Sequence, residues 1–128
     1  MSTKKNAPKF FESELKRFID YFGLYEWEIV IDDEAGENDR AMTSWYPLNH
    51  EAYGSQIINV SYNAEWLNNK ETSSEEITRV VFHEVMEIVL SRLRALSLNN
   101  DVNISFREVD SEVHRVIRTF ENKVLPLL

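Results

Sequence analysis

The fold of this chain is decided by a long stretch of mainly apolar residues at 77–98, ITRVVFHEVMEIVLSRLRALSL. Just upstream, Ser73 and Glu76 have the spacing of a capping box, and acidic residues would occupy the first helical turn. A helix is therefore predicted from this N-cap to about Leu96. An apolar stripe runs along one side of it: Ile77, Val81, Val85 and Ile88. Because apolar residues also occupy most of its other sides, we expect other elements to cover this helix.

Shorter patterns on either side of this helix predict the rest of the fold. Apolar residues recur at helical spacing in some segments and alternate with polar residues in others. The predicted elements are a helix over Lys9–Phe22 ended by Gly23, strands over Glu26–Asp32, Arg40–Tyr46 and Gln56–Tyr62, a short helix capped by Asn63 and ending at Leu67, the long helix, and a last helix over Ser105–Val124. We expect an α+β domain in which a small three-stranded, mainly antiparallel sheet packs on the first and long helices.

Length and composition indicate one globular domain. The chain has 128 residues, of which 43% are hydrophobic, and it includes three Trp, five Tyr and seven Phe. This is enough apolar material for one core, and the chain is too short for two. Residues 1–8 are polar and are expected to form a flexible tail, while residues 9–128 are expected to form the domain.

Charge and the absence of cysteine narrow the classes of partner and site. A formal net charge of -8 creates no positive field for a phosphate backbone, so nucleic-acid binding is not expected. With no Cys, the chain has no disulfide, no thiolate metal ligand and no cysteine nucleophile. It contains neither a signal-peptide pattern nor an apolar run of about 18 residues. We therefore expect a cytoplasmic protein that does not bind membranes.

The long helix carries three side chains that bind metals or protons, His83, Glu84 and Glu87. His83 and Glu87 have i,i+4 spacing and therefore lie on the same face of the helix. In the HExxH motif of zinc peptidases, two His at this spacing bind the metal and the Glu acts as general base. Here Glu87 takes the place of the second His. The same spacing also fits an ordinary ion pair on a helix surface.

The last helix offers the ligand that the long helix lacks. Its apolar stripe must face the core, with His114, Asp110 and Glu121 along one edge and Glu112 along the other. Helices joined by a short loop tend to pack antiparallel, so His114 or Glu112 could approach the polar face of the long helix. Two His and one carboxylate form the ligand set of a thermolysin-type zinc site and also suit Mn2+ or Fe2+. The predicted metal ligands are His83, Glu87 and His114.

Two segments of the chain resemble a group of small bacteriophage-encoded metallopeptidases. They are VFHEVMEIVL at residues 81–90 and SEVHRVIRTFEN at residues 111–122, and the preceding helix and strands are similar to those of minimal zincin domains. The resemblance implies a zincin-like metal site with His83 as first ligand, Glu84 as base and a third ligand from the last helix. Glu87 departs from the family pattern, and its negative charge would make the metal a weaker Lewis acid.

The function implied by the resemblance is that of a metallopeptidase. Its metal, with Zn2+ as first choice, would polarise the peptide carbonyl and activate a water from which Glu84 takes a proton. An edge strand such as Gln56–Tyr62 would hold an extended peptide by backbone pairing. A phage-encoded protein of this kind would act in the host cytoplasm. The alternative is a non-enzymatic phage protein for binding or assembly that retains a degenerate metal site.

Overall fold

The computed structural model describes residues 6–25, 27–46, 57–98 and 105–128. Their elements follow the predicted order: α1 (Ala7–Phe22), β1 (Glu28–Asp32), β2 (Ala41–Tyr46), β3 (Ile57–Tyr62), α2 (Ala64–Leu67), α3 (Ser74–Leu98), α4 (Phe106–Lys123) and a 3-10 turn (Leu125–Leu127). The α+β class is confirmed, and the element bounds differ from the predicted ones by a residue or two. In this part of the chain, no helix is long and apolar enough to cross a bilayer.

Side-chain caps define where the helices begin. Asn6 accepts a backbone hydrogen bond from the first turn of α1 at 3.2 Å, so this helix begins inside the segment predicted as a flexible tail. Residues 1–5 of that segment lie outside the described residues. At α3 the predicted capping box is present, because Ser73 Oγ accepts a hydrogen bond from Glu76 N at 3.1 Å. Ser105 caps α4 in the same way. Each such cap contributes about 1 kcal/mol to stability.

The sheet is mixed rather than mainly antiparallel. Its strand order is β1-β3-β2, with β1 parallel and β2 antiparallel to β3. Alternation of apolar residues identifies strands but does not determine which strands are neighbours, and β3 inserts between the two strands that precede it in the chain. As the central strand, β3 has backbone partners on both sides. The predicted use of Gln56–Tyr62 as an open edge for a peptide is therefore wrong, and among the described strands the edges are β1 and β2.

The apolar core lies between the sheet and the helices. Ile58 and Val60 of β3 are completely buried, as expected for alternate residues that point to one face of a sheet. The ring centroids of Phe18 in α1 and Phe82 in α3 are 5.3 Å apart in an edge-to-face arrangement. Other large, fully buried side chains come from all four helices: Phe11, Leu15, Leu67, Ile77, Met86, Ile88 and Ile117.

The helix α3 packs against α1, α4 and β2. The contact with α4 includes an apolar part, since Val109, Val113 and Ile117 are buried in the core. Beside this apolar contact lies a row of polar side chains, which we call the α3–α4 seam: Arg79, His83 and Glu87 from α3, and Asp110, His114 and Glu121 from α4. Because apolar packing holds both helices in place, the polar groups of the seam have defined positions.

Candidate metal centre

Two imidazoles and one carboxylate meet in the α3–α4 seam. Glu87 Oε2 lies 3.5 Å from His83 Nε2 and 3.1 Å from His114 Nε2. One ligand atom can be chosen from each residue so that all three atoms lie within 4.8 Å of one another. The structure therefore brings together the three residues predicted as metal ligands, because α4 runs antiparallel beside α3.

Each imidazole is held by a hydrogen bond at its other nitrogen. His83 Nδ1 lies 2.9 Å from Glu121 Oε2, and His114 Nδ1 lies 2.9 Å from the backbone oxygen of Asp110. Both partners are acceptor oxygens, which assigns the ring hydrogen to Nδ1 and directs the Nε2 lone pair of a neutral imidazole towards the shared centre. Metal-binding His residues in proteins are usually oriented by such a hydrogen bond.

Glu121 and Asp110 belong to the site, although no role for them was predicted. Glu121 is buried in the seam, where its Oε1 lies 3.7 Å from Arg79 Nε and its Oε2 contacts His83. By its helical spacing, the sequence places both acidic residues on the same edge of the last helix as His114. This shared edge is the sequence signal that could have identified Glu121 and Asp110 as part of the site, because side chains near a ligand on one helix edge can reach the same centre.

The carboxylates around His83 favour its protonated form when no metal is bound. The hydrogen bond with Glu87 is the largest influence, and together with the charges of Glu84 and Glu121 it outweighs burial and raises the pKa of His83 to about 9. At neutral pH the metal-free site therefore contains an imidazolium ion paired with Glu87. A metal has to displace this proton, because only the neutral imidazole is a ligand.

Glu84, the predicted general base, lies beside the cluster and not within it. The residue is only 6% exposed, and its Oε1 accepts a hydrogen bond from Thr43 Oγ1 of β2 at 2.7 Å. Burial raises the pKa of Glu84, and the hydrogen bond from Thr43 only partly opposes this effect. A carboxyl group with a raised pKa exchanges protons closer to neutral pH than an exposed carboxylate does.

A cavity of about 410 Å³ opens next to His83 and Glu84. Its other walls come from the segment that leads into β2, from α3 and from α4, and most of them are polar: Asn38, Asp39, Arg40, Arg79 and Glu121. Glu87 and His114 lie outside this lining. The cavity therefore reaches the cluster from the His83 side, and it places the first predicted ligand and the predicted base on one wall.

Glu112, the other candidate for the third ligand, is not part of the cluster. Its carboxylate is 65% exposed and accepts hydrogen bonds from Arg115, the shortest of them at 2.8 Å. This is an i,i+3 pair on the solvent side of α4. The geometry of the described residues therefore selects His114 over Glu112 as the residue from α4 that meets His83 and Glu87.

The donor set of the cluster fits a divalent metal ion. Two imidazole nitrogens and one carboxylate oxygen are ligands that such ions accept, and three protein ligands leave coordination positions open for water or a substrate. The residues His83, Glu87 and His114 could therefore hold a metal ion. Neither a protein-family model, nor a curated protein, nor a solved structure matches this chain.

Proposed function

We propose that this protein binds Zn2+ through His83, Glu87 and His114 and is a metal-dependent hydrolase that acts on peptides. The observation that carries the proposal is the convergence of three ligand atoms within 4.8 Å, with each imidazole held at Nδ1 by an acceptor oxygen. An ordinary i,i+4 ion pair joins two residues of one helix. Here, ligands from two helices share one centre, and both imidazoles have the hydrogen bonds that orient metal ligands.

The choice of metal follows from the donor atoms. Two His and one carboxylate, with at least one open position, form a ligand set found at catalytic zinc sites. The same set accepts Mn2+ and Fe2+, which compete with Zn2+ through availability as well as affinity. Glu87 adds a negative charge that a third imidazole would not, and this charge favours cation binding while it reduces the Lewis acidity of the bound ion.

The hydrolytic part of the proposal rests on Glu84. A bound metal supplies Lewis-acid polarisation of a carbonyl group, which lowers the barrier to hydrolysis. Glu84 would accept and return the proton that this reaction moves, because it lies next to His83 in the chain, lines the same cavity and has a raised pKa. Thr43 would hold the Glu84 carboxyl in place through its 2.7 Å hydrogen bond.

An extended peptide would bind along β2 in this proposal. β2 is an edge strand, and its first residue, Ala41, lines the cavity beside His83 and Glu84. Pairing with the backbone of an edge strand binds peptides with little dependence on their sequence. The polar cavity would then receive the part of the peptide that surrounds the bond to be cleaved.

One observation favours a second, non-enzymatic function. In the absence of metal, Glu87 can accept hydrogen bonds from both imidazoles, and Glu121 and Asp110 accept from their other nitrogens. A protonated cluster of this kind can hold α3 against α4 without any metal. In that case the protein would be a binding or assembly protein, and the cluster would be a structural polar network.

Metal content decides between these two functions. The protein is purified without a His tag, its metals are measured by mass spectrometry, and its melting temperature is recorded with Zn2+, Mn2+ or a chelator. We expect stoichiometric metal and a higher melting temperature with Zn2+. His114→Ala should abolish both effects, while the matched variant Glu112→Ala on the same helix should change neither. A melting temperature that no ion or chelator shifts would contradict the proposal.

Peptide hydrolysis is tested with the Zn2+-loaded protein and a mixture of unstructured peptides analysed by mass spectrometry. Glu84→Gln should keep the metal and lose cleavage, whereas Glu75→Gln, on an exposed part of the same helix, should retain cleavage. Cleavage that survives in Glu84→Gln would rule out Glu84 as the proton acceptor. Metal binding without cleavage by the wild-type protein would favour the non-enzymatic function.

A further inference from the structure

The two imidazoles of the cluster are held by different kinds of acceptor. His114 Nδ1 contacts the backbone oxygen of Asp110, one turn earlier in its own helix, at 2.9 Å, and the Asp110 carboxylate is farther away, with Oδ2 at 3.5 Å. His83 Nδ1 contacts a side-chain carboxylate, Glu121 Oε2, which comes from the other helix and is also 2.9 Å away. The partner of His114 at Nδ1 therefore comes from its own helix. The orientation of His83 depends on a tertiary contact.

Glu121 is built into the α3–α4 seam. Its side chain is only 11% exposed, and its two oxygens have separate partners. Oε2 contacts His83, while Oε1 lies 3.7 Å from Arg79 Nε. Arg79 is itself fixed by a 2.9 Å hydrogen bond from its Nη2 to Asn122 Oδ1. A poorly solvated carboxylate needs such partners, because an unpaired buried charge is strongly unfavourable.

We propose that Glu121 is the positioning residue that makes His83 a metal ligand, an inference that rests on the proposed metal-binding function. By accepting the Nδ1 hydrogen of His83, the Glu121 carboxylate fixes the rotation of the ring and leaves the Nε2 lone pair directed at Glu87 and His114. A carboxylate acceptor also increases the electron density of the imidazole and strengthens its bond to a cation more than a neutral acceptor does.

This assignment gives α4 two functions in one site. The helix supplies His114 as a ligand, and two turns later it supplies Glu121, which orients the ligand His83 on α3. A single docking contact between the helices therefore completes the donor set and aligns it. The third proposed ligand, Glu87, is a carboxylate and needs no hydrogen bond of this kind.

The first test compares Glu121→Gln with Glu112→Gln, a matched variant on the exposed side of α4. Zn2+ dissociation constants are measured by competition with a coloured chelator, and circular dichroism verifies folding. Glu121→Gln should weaken Zn2+ binding about 10- to 100-fold, the usual loss when the partner of a ligand is removed. Glu112→Gln should bind like the wild type. Unchanged affinity in folded Glu121→Gln would overturn the role of Glu121 while leaving the metal site intact.

The second test uses the wild-type protein and therefore does not depend on the folding of a variant. Long-range proton–nitrogen NMR spectra of the Zn2+-loaded protein identify which imidazole nitrogen carries the hydrogen. We expect His83 to bind through Nε2 with its Nδ1 protonated, a signature that a merely structural Glu121 would not impose. Binding through Nδ1 would overturn the proposal. Failure of the wild type to take up Zn2+ would overturn both this inference and the proposed function.

Discussion

Two sides of α3 are stabilised by different kinds of contact, although the adjacent residues Phe82 and His83 lie on one side each. Phe82 is completely buried and contacts the rings of Phe18 and Phe22 in α1. The next residue, His83, has a side chain that is 29% exposed and faces the carboxylates of the α3–α4 seam. The side facing α1 is stabilised mainly by the burial of large apolar groups, with one hydrogen bond beside them, from Thr78 Oγ1 to Glu14 Oε1 at 2.7 Å. The side facing α4 combines apolar packing with polar groups.

This difference shows how titratable groups can be kept together between two helices that apolar packing also holds. Buried ion pairs contribute little net stability, because their attraction is offset by the loss of hydration. Val113 and Ile117 provide the apolar contact that keeps α4 in place. His114 and Glu121 can therefore take the roles proposed for them, as metal ligand and as positioning residue, and their mutual arrangement follows from packing that they do not themselves provide.

The largest loss of stability is expected on the apolar side of α3, from the variant Phe82→Ala. This variant removes a fully buried ring between α1 and α3, which should lower the free energy of unfolding by about 3 to 5 kcal/mol. Urea denaturation followed by circular dichroism measures the loss. Tyr25→Ala is the control, because Tyr25 is 71% exposed and its replacement should have a small effect. A similar loss in both variants would contradict the assignment of Phe82 to the core.

The stability of the folded protein should depend on pH because of the polar side of α3. The charged or titratable groups around His83 are Glu84, Glu87, Glu121, His114 and Arg79, and the hydrogen bond with Glu87 is the main reason why the pKa of His83 rises from 6.5 to about 9. A raised pKa means that the folded state binds the proton more tightly. The resulting stabilisation is complete below about pH 6.5 and disappears as the pH rises through about 9.

This dependence is measured as the melting temperature of the chelator-treated protein between pH 6 and pH 10. The melting temperature should fall by several degrees over this range in the wild type. In His83→Gln, which cannot take up the proton, this fall should be absent or much reduced. An equal fall in both proteins would show that another group is responsible.

A smaller loss of stability is expected from a substitution where α3 meets the sheet. Thr43→Val removes the hydroxyl that donates to the buried Glu84 carboxyl, and the loss of a partner for a buried polar group costs about 1 to 3 kcal/mol. It should also raise the pKa of Glu84 further, since the Thr43 hydrogen bond lowers it. Thr43→Ser retains a hydroxyl and should preserve most of the stability. Equal stability of the Val and Ser variants in urea denaturation would argue against this hydrogen bond.

The smallest loss of stability is expected from a substitution at the beginning of α4. Ser105→Ala removes the side chain that caps this helix, at a cost of about 1 kcal/mol. Because the cap lies more than two turns before His114, Zn2+ affinity should not change. Ser111→Ala, an exposed substitution inside the same helix, should cause no loss of stability. A weaker Zn2+ affinity in folded Ser105→Ala would show that the position of His114 depends on the first turn.

Local patterns account for what could be predicted from the sequence. The capping box of Ser73 and Glu76 and the glycine that ends α1 are contained within a few residues, and Gly23 has the left-handed conformation, with φ 66°, that its role requires. The i,i+4 spacing of His83 and Glu87 is equally local. The apolar stripe of α4 also limited the ligand from this helix to residues along its two edges, His114 on one and Glu112 on the other.

Contacts between distant elements account for what could not be predicted. The sequence left open whether His114 or Glu112 joins the cluster, and only the packing of α4 against α3 decides between them. The order of the strands depends on β3 pairing with both β1 and β2, which are far from each other in the sheet although they are consecutive in the chain. The hydrogen bond from Thr43 to Glu84 and the contact of Glu121 with His83 join residues far apart in the chain, and no periodic pattern records such pairs.

The distribution of the three proposed ligands over two helices has a consequence for how the domain opens. Two of them are on α3 and one is on α4, so a bound ion would act as a cross-link that closes the intervening chain into a loop. Like other cross-links, it would stabilise chiefly by limiting the freedom of the opened chain. Without the ion, α4 could separate from α3 in a local opening event, whereas with the ion that event requires a ligand to dissociate. The backbone amides of α4 should therefore gain the most protection from hydrogen exchange.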